Sequence, residues 1–361
     1  MTNHDAHMLD AARNGDADAF SQLIQPHRVA LHAHCYRMLG SLHDADDALQ
    51  DTLLNGWRAL PQFEGRSSLK SWLYRIATNA CLKMIARRPR RVLPIDYGAA
   101  ADPHDPLAAP LVESVWLEPY PDAGIEAEDS LASPDARYEQ REAVELAFVA
   151  ALQHIPAKQR AVLILRDVLG FSAREVAETL EMTPAAVDTA LQRAHKTVDD
   201  RLPARSQQAT LQRIGDEPLH ELVDRFVDAW ERADVDSIVD MLSHDATITM
   251  PPRPTWFRGR DAIEVFMRSV VLAPEVRWRL RRVSANGQLA FAEYRWNETT
   301  NYFVAEALTV LTIADTLITD ITAFRRPDVF IHFGLPAFLE PSPEPAPSSR
   351  RATGQPGLPV P

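Results

Sequence analysis

Residues 96–136 constrain the fold of this chain more than any other stretch, because they offer little that a core, a helix or a sheet requires. The segment holds ten acidic residues, six prolines and no Lys or Arg. Proline breaks helices and removes a backbone donor, and a high density of like charge opposes compaction. The sequence therefore predicts an acidic, Pro-rich linker over residues 93–137, mostly disordered, that divides the chain into modules.

One short stretch inside this linker differs from its surroundings. Residues 115–122 read VWLEPYPD and combine large apolar and aromatic side chains with the acidic background. Such side chains in a solvated segment need a surface that covers them. We therefore predict a docking element in the WLEPYPD motif, with contacts made by Trp116, Leu117 and Tyr120.

Folded modules are predicted on both sides of the linker. Residues 5–92 have the apolar spacing of a helical bundle, and residues 138–204 have that of a helix-turn-helix. A polar break at 205–217 precedes residues 215–340, where helices are followed by alternating strands, as in an α+β module. The predicted architecture is multi-domain: two all-α modules and then an α+β module. The Pro- and Ser-rich residues 341–361 are expected to be disordered.

Positive charge is concentrated in one region of an acidic chain. The net charge is -12, yet residues 66–91 carry eight Lys and Arg residues and no acid. A basic helix with interleaved aromatics is typical of a nucleic-acid-binding surface. The spacing predicts a helix over residues 69–88 with Trp72 on its buried stripe and Tyr74 as the more exposed aromatic. Its opposite face carries residues spaced four apart: Arg75, Asn79, Lys83 and Arg87.

Other sequence features favour an intracellular protein without a cofactor. Cys35 and Cys81 lack the spacing of a metal site and are expected to be buried in packing, as suits a reducing compartment. No apolar run approaches a membrane span, and the N-terminus has no signal-peptide pattern. We expect a cytoplasmic protein with no metal, cofactor or membrane partner.

Three ordered blocks in the first two modules carry a family resemblance. They are DADDALQD at 44–51, FEGRSSLKSWLYRIATNA at 63–80 and IPAKQR at 155–160. Together they resemble a bacterial RNA polymerase sigma factor of the extracytoplasmic-function group. The resemblance implies core RNA polymerase and promoter DNA as partners, with region 2 over 5–92 and region 4 over 138–204.

The resemblance assigns roles to particular residues. The acidic helix is implied to bind the polymerase through Asp44, Asp47, Gln50 and Asp51. The basic region is implied to hold the melted -10 element through Phe63, Arg66, Ser67, Tyr74, Arg75, Asn79, Lys83 and Arg87. The recognition helix and its neighbour are expected to contact the -35 element through Arg174, Ala185, Asp188, Thr189, Gln192, Arg193 and Lys196.

The α+β module resembles a SnoaL-type domain, a cone of curved sheet and helices around a pocket. It would act as a regulatory domain for a small ligand or a protein. Because this fold also hosts cyclases and isomerases, fold alone does not settle its role. Candidate pocket residues are His244, Asp245, Trp256, Trp278, Tyr294, Trp296, Asp320 and His332, without a recognisable pairing of acid and base.

The sequence therefore predicts a sigma factor that directs promoter-specific initiation, is modulated by its C-terminal domain and performs no covalent chemistry. A ligand-sensing helix-turn-helix regulator is one alternative, and the block at residues 63–91 argues against it. The other is an enzyme in the C-terminal domain, for which loss of turnover in Asp320→Asn would be diagnostic.

Overall fold

Five α-helices of the described residues build the first module. The structure is a computed structural model that describes residues 3–65, 67–111, 115–122 and 142–341. The helices are α1 (Asn3–Arg13), α2 (Ala17–Ile24), α3 (Arg28–Leu39), α4 (Leu42–Ala59) and α5 (Leu69–Ile85). Asp16, Ser41 and Ser68 cap α2, α4 and α5, since each side chain accepts a hydrogen bond from an amide in the first turn. The predicted helical bundle is confirmed.

Gly40 forms the corner between α3 and α4. Its backbone has φ 69 and ψ 17, a left-handed conformation that glycine adopts without strain. A Cβ atom at this position would lie 2.5 Å from Cδ2 of Leu117 and 3.1 Å from Cδ of Gln153. Glycine therefore permits both the sharp turn and the close approach of the linker and the second module.

Two parts of the predicted linker, residues 93–111 and 115–122, are ordered, so the expectation of disorder is wrong for them. A short helix, α6 (Pro94–Tyr97), follows the first module. The chain then runs along the third module, where Ala101 N donates to Trp256 O at 2.9 Å. A Pro-rich segment has no core of its own, but other modules satisfy its backbone groups here. The remaining linker residues, and the tail at 342–361, lie outside the described residues.

The second module is helical and contains the predicted helix-turn-helix. Its helices are α7 (Leu146–Gln153), α8 (Ala157–Leu163), α9 (Ala173–Leu180) and α10 (Pro184–Asp199). A capping box between Ser172 and Glu175 begins α9, and Thr183 caps α10 by accepting from Ala186 N. These local signals place α9 and α10 at the helix-turn-helix positions expected from sequence.

Glu145 immediately precedes α7 and sets where that helix begins. Its backbone has φ -49 and ψ 139, outside the helical region. Its carboxylate accepts from Gln207 N at 2.9 Å and from Gln208 N at 2.8 Å. The side chain thus caps a helix of the third module, an interaction that apolar spacing does not reveal.

The third module opens with helices. These are α11 (Gln207–Ile214), α12 (Asp216–Glu231) and α13 (Val235–Asp240), and α14 (Arg260–Phe266) follows later in the chain. The polar break predicted at 205–217 is therefore wrong, because α11 occupies most of it. The helix forms in a polar sequence because Ser206 caps it and its exposed face needs no apolar residues.

A curved sheet completes the third module. Its strands are β1 (Leu242–Thr249), β2 (Trp256–Arg258), β3 (Trp278–Ala285), β4 (Gln288–Asn297), β5 (Tyr302–Ala314), β6 (Leu317–Phe324) and β7 (Phe338–Leu339). The order is β2-β1-β6-β5-β4-β3, with β7 paired to β5; β1 and β6 are parallel and the other pairs antiparallel. Helices followed by this sheet confirm the predicted α+β module; β2 and β7 are too short to show an alternating pattern.

The two helical modules share one hydrophobic core. A single cluster of buried side chains runs from Leu9 in α1 to Val198 in α10 and includes Leu117 and Tyr120 of the linker. The cone has separate clusters of its own. In the described part of the chain, no helix combines the length and the apolar character needed to cross a membrane.

Candidate nucleic-acid interface and interdomain junction

The basic face of α5 is open to solvent. Arg75, Asn79, Lys83 and Arg87 are all exposed, in the row that their spacing predicts. Arg75 has only a distant ionic contact, 3.9 Å from its Nη2 to Oε1 of Glu181. Ser67 is also exposed, and Arg66 lies outside the described residues. The face offers cations and an amide to a phosphate backbone or to bases.

The two aromatic residues of α5 have the opposite exposure to the one predicted. Tyr74 is buried, with its ring 5.2 Å from His34 and 5.5 Å from Phe171 of the second module. Trp72 is half-buried against Phe63, which is itself buried, at a ring distance of 5.0 Å. The predicted exposed role of Tyr74 is therefore wrong for this arrangement, because the second module covers a face of α5 that local periodicity assigns to solvent.

The predicted -35 residues share one accessible surface. Arg174 on α9 is exposed, and so are six side chains of α10: Ala185, Asp188, Thr189, Gln192, Arg193 and Lys196. The opposite face of α10 is buried through Val187, Ala190, Ala194 and Val198. A helix held by one face and polar on the other has the form of a major-groove reader. Asp188 places an acid on the same surface.

The acidic helix α4 divides into accessible and occupied residues. Asp47, Gln50 and Asp51 are exposed. Asp44 is buried, where its carboxylate accepts from Nε of Arg91 at 3.0 Å and also pairs with Arg88. The prediction that Asp44 lies on an open docking surface is wrong in this arrangement, because the end of the basic region folds back onto it.

The docking element lies between region 2 and the third module. Trp116 pairs with Val92 in a parallel bridge, in which Val92 N donates to Val115 O at 2.9 Å and Leu117 N donates to Val92 O at 3.1 Å. The side chains of Trp116, Leu117 and Tyr120 are all buried. Leu117 and Tyr120 join the core of the helical modules, whereas Trp116 clusters with Val92 and Val115.

Glu118 caps the helix predicted to bind the polymerase. Its Oε2 accepts from Oγ of Ser41 and from Leu42 N, both at 2.9 Å, and its Oε1 accepts from Nη1 of Arg326 at 3.2 Å. Burial would raise the pKa of Glu118, but the hydrogen bond from His43 and the nearby arginines outweigh it and hold the pKa below its usual value. An ionised linker carboxylate thus joins α4 to the third module.

Asn286 of the third module contacts region 2, the docking element and the start of the second module. Its Oδ1 accepts from Tyr120 N at 2.9 Å, and its Nδ2 donates at 2.8 Å to both Oη of Tyr36 and the carbonyl of Val144. Asn286 N also donates to Tyr120 O at 2.8 Å. The residue is buried at the β3–β4 turn with φ 56. We call this set the Asn286 junction; sequence reasoning missed it, although the Asn-Gly pair at 286–287 signals the turn itself.

The cone of the third module encloses a cavity of about 160 Å³. Trp230, Phe266, Trp278 and Glu293 line it, and Leu107 of the linker contributes to its wall. Burial raises the pKa of Glu293 to about 7, and Oγ1 of Thr309 donates to its Oε1 at 2.5 Å. This buried acid was not predicted from the sequence, because an isolated Glu in a strand usually faces solvent.

Most of the pocket residues expected from sequence lie elsewhere. Trp278 lines the cavity, whereas His244 and Asp245 are exposed and Asp320 lines a cleft of about 830 Å³ between the modules. The others make separate contacts: Trp256 with Gly98, Tyr294 with Pro336, Trp296 with Arg277 and Phe303, and His332 with Asp46 and the ring of His43. Of that set, the described lining of the cavity thus contains Trp278 but no Asp or His.

Each module matches a known family. Residues 23–91 match Sigma-70 region 2, residues 145–198 match Sigma-70 region 4, and residues 223–321 match the SnoaL-like domain. The three matches follow one another in the order predicted from sequence.

Two relatives and one solved structure extend this comparison. The ECF RNA polymerase sigma factor SigG of Mycobacterium tuberculosis is 40% identical over 330 residues, covering 91% of this chain and 86% of that protein. SigM of the same organism is 32% identical over 190 residues, covering 53% and 80%. The crystal structure of the M. tuberculosis sigma factor SigJ shares the fold at 20% identity, with a TM-score of 0.52, covering 86% of this chain and 97% of that one. Because the similarity to SigG spans all three modules, the chain belongs to the extracytoplasmic-function family of RNA polymerase sigma factors.

Proposed function

We propose that this sigma factor contacts core RNA polymerase through the exposed residues of α4 and reads promoter DNA with two separate faces. The exposed row on α5 serves the -10 element, and the exposed face of α10 serves the -35 element. The third module restrains both by holding the helical modules together. A protein with these partners acts in the cytoplasm.

The burial of Tyr74 is the observation that carries the restraint. Its ring lies between His34 of region 2 and Phe171 of region 4, so the two DNA-binding modules are packed against each other. Melted promoter DNA needs aromatic groups on which bases can stack. In this packed arrangement Tyr74 offers none, and promoter opening requires region 4 to move away from α5.

The Asn286 junction explains how the third module maintains that packing. It ties Tyr36 of region 2, Tyr120 of the docking element and Val144 beside region 4 to a single side chain. Arg326 adds an ionic link to Glu118, which caps α4. The same module therefore acts on the packing of region 4 and on the helix proposed to bind polymerase.

We further propose that the protein performs no covalent chemistry. Glu293 is buried in the cone cavity and accepts a hydrogen bond from Oγ1 of Thr309, and among the described residues neither a His nor an Asp lines that cavity. Nucleotide polymerisation belongs to the polymerase.

Run-off transcription with purified core polymerase tests the proposal. The triple variant Arg75→Ala, Asn79→Ala and Lys83→Ala should reduce promoter opening at least severalfold while leaving polymerase binding unchanged, because the three side chains are exposed and none supports the core. Arg281→Ala, Arg282→Ala and Gln212→Ala remove two charges and an amide from exposed positions of the third module and form the matched control. Equal opening by the two triple variants would show that the face of α5 does not bind DNA.

A further inference from the structure

A pocket lined by arginines lies where the end of region 2 meets region 4. It has a volume of about 400 Å³. Arg88, Arg90 and Arg91 line it from the chain that follows α5, and Arg160 of α8 lines it from the other side. The wall therefore belongs to two modules, and it forms only when they are packed together.

The residues that line this pocket carry more positive than negative charge, although Asp47 and Glu118 lie outside the lining near Arg88 and Arg91. Four guanidinium groups face one carboxylate, that of Asp44, which already pairs with both Arg88 and Arg91. Burial lowers the pKa of His154 in the same wall, although its contact with Asp96 acts in the opposite direction. The lining thus carries a surplus of positive charge.

Arg160 lacks a counter-ion although it is buried. Its Nη1 and Nη2 donate to amide and backbone oxygens of Met38, Gln153 and Ile155, and no carboxylate of the described residues lies within 4.0 Å of it. Its Nε has no hydrogen-bond partner in the described part of the chain. Burial lowers the pKa of Arg160 to about 10, which still leaves it charged at neutral pH. A buried cation of this kind is favoured by an anion nearby.

Arg90 is the accessible counterpart of Arg160. It is exposed, and the contact of its guanidinium in the described residues is with Nδ1 of His154, at 3.2 Å. Its remaining donors are available to a ligand. A guanidinium group binds phosphate oxygens through paired hydrogen bonds, so the exposed guanidinium of Arg90 is suited to a phosphoryl group.

The rest of the lining is apolar. Met84, Ile85 and Pro156 contribute carbon surface beside the arginines. The volume falls within the range of sites for small organic ligands, about 300–1,000 Å³, and exceeds what a bare phosphate needs. We propose that this pocket binds a phosphorylated small molecule of nucleotide size, with its phosphates on the remaining donors of the exposed Arg90, close to the buried positive charge of Arg160, and its remaining part against the apolar wall.

Isothermal titration of the full chain with ADP, with inorganic pyrophosphate and with a hexanucleotide DNA strand tests this proposal. Ionic strength is held constant, because exposed charges are screened by salt. We expect ADP to bind at one site per chain and pyrophosphate to bind more weakly. Arg90→Gln should weaken ADP at least about tenfold, since a charge-assisted pair is lost. Arg90→Lys keeps the positive charge but lacks the planar guanidinium, so its affinity for ADP should lie between those of the wild type and Arg90→Gln.

The control variant is Arg282→Gln, which removes an exposed arginine from β3 in the third module and should leave ADP affinity within about twofold of the original protein. Absence of binding by both ADP and pyrophosphate would overturn the proposal, and so would equal affinities in the Gln variants at 90 and 282. Binding by the DNA strand alone, sensitive to Arg90→Gln, would assign the arginines to promoter phosphates instead. None of these outcomes depends on promoter activity.

Discussion

Asn286→Gly tests whether the junction holds the three modules together. Glycine keeps the positive φ of 56 that the β3–β4 turn requires and removes only the side chain. Three hydrogen bonds are lost, to Tyr120 N, Oη of Tyr36 and the Val144 carbonyl. At a net value of about 1 kcal/mol each, the loss is about 3 kcal/mol.

The effect of losing these hydrogen bonds should be greatest at the docking element. Tyr120 N donates to the amide oxygen of Asn286, so its exchange with deuterium reports on the junction directly. A loss of about 3 kcal/mol corresponds to exchange about 100-fold faster in the peptide containing residues 115–122. Mass spectrometry of the exchanged peptides measures this, and urea unfolding gives the accompanying change in stability.

Asn301→Gly provides a matched control. Asn301 also has a positive φ, of 55, in the turn between β4 and β5, but it is exposed. Its replacement should leave exchange of residues 115–122 unchanged and alter stability by less than about 0.5 kcal/mol. Similar exchange in the two glycine variants would refute the reasoning, because it would mean that the Asn286 amide contributes nothing to docking.

Three further outcomes are expected. Arg193→Ala should change -35 sequence preference at a cost of about 1–3 kcal/mol, whereas Lys196→Ala should weaken all promoters alike and lower the salt slope by about 1, as measured by binding titrations at several salt concentrations. Glu293→Gln should remove a pH dependence of the free energy of unfolding. The unfolded carboxyl ionises near its ordinary pKa of 4.5, but the folded carboxyl keeps its proton up to about pH 7. The free energy of unfolding of the wild type therefore falls as the pH rises between these two values. The variant should then be more stable than wild type at pH 8, by at most about 3 kcal/mol, and equal to it at pH 4 in urea unfolding. Gly40→Ala should cost about 1–2 kcal/mol through its φ of 69 alone, with a further loss if Leu117 is displaced, measured in the same way; an unchanged midpoint would show that the corner tolerates a side chain.

Local sequence signals predicted the helix boundaries well where the capping residues lie at the end of the helix itself. Ser172 with Glu175 begins α9, and Thr183 with Pro184 begins α10, so the helix-turn-helix follows from its own residues. The exposed face of α10 follows equally well, since its periodicity is set by one packed side.

Contacts between modules could not be predicted in the same way. Tyr74 was expected in solvent because the spacing along α5 does not encode Phe171, which lies about a hundred residues further along the chain. The ordered structure of the linker could not be predicted for the same reason, because it depends on contacts with other modules. Its composition excludes a core of its own, but Glu118 and Tyr120 are held by groups from other modules. Asp44 was expected to be free because Arg91, its partner, belongs to a segment assigned to DNA.

The distance along the chain between Tyr36 and Asn286 has a consequence for newly made protein. Their hydrogen bond joins residues 250 positions apart. At about 5–20 residues per second, a ribosome needs about 12–50 seconds to pass from one to the other. During that interval region 2 and then region 4 emerge without the residue that ties them together. Under the proposed function, a nascent chain would therefore be unrestrained, and one that meets core polymerase early would bind it before the restraint can form.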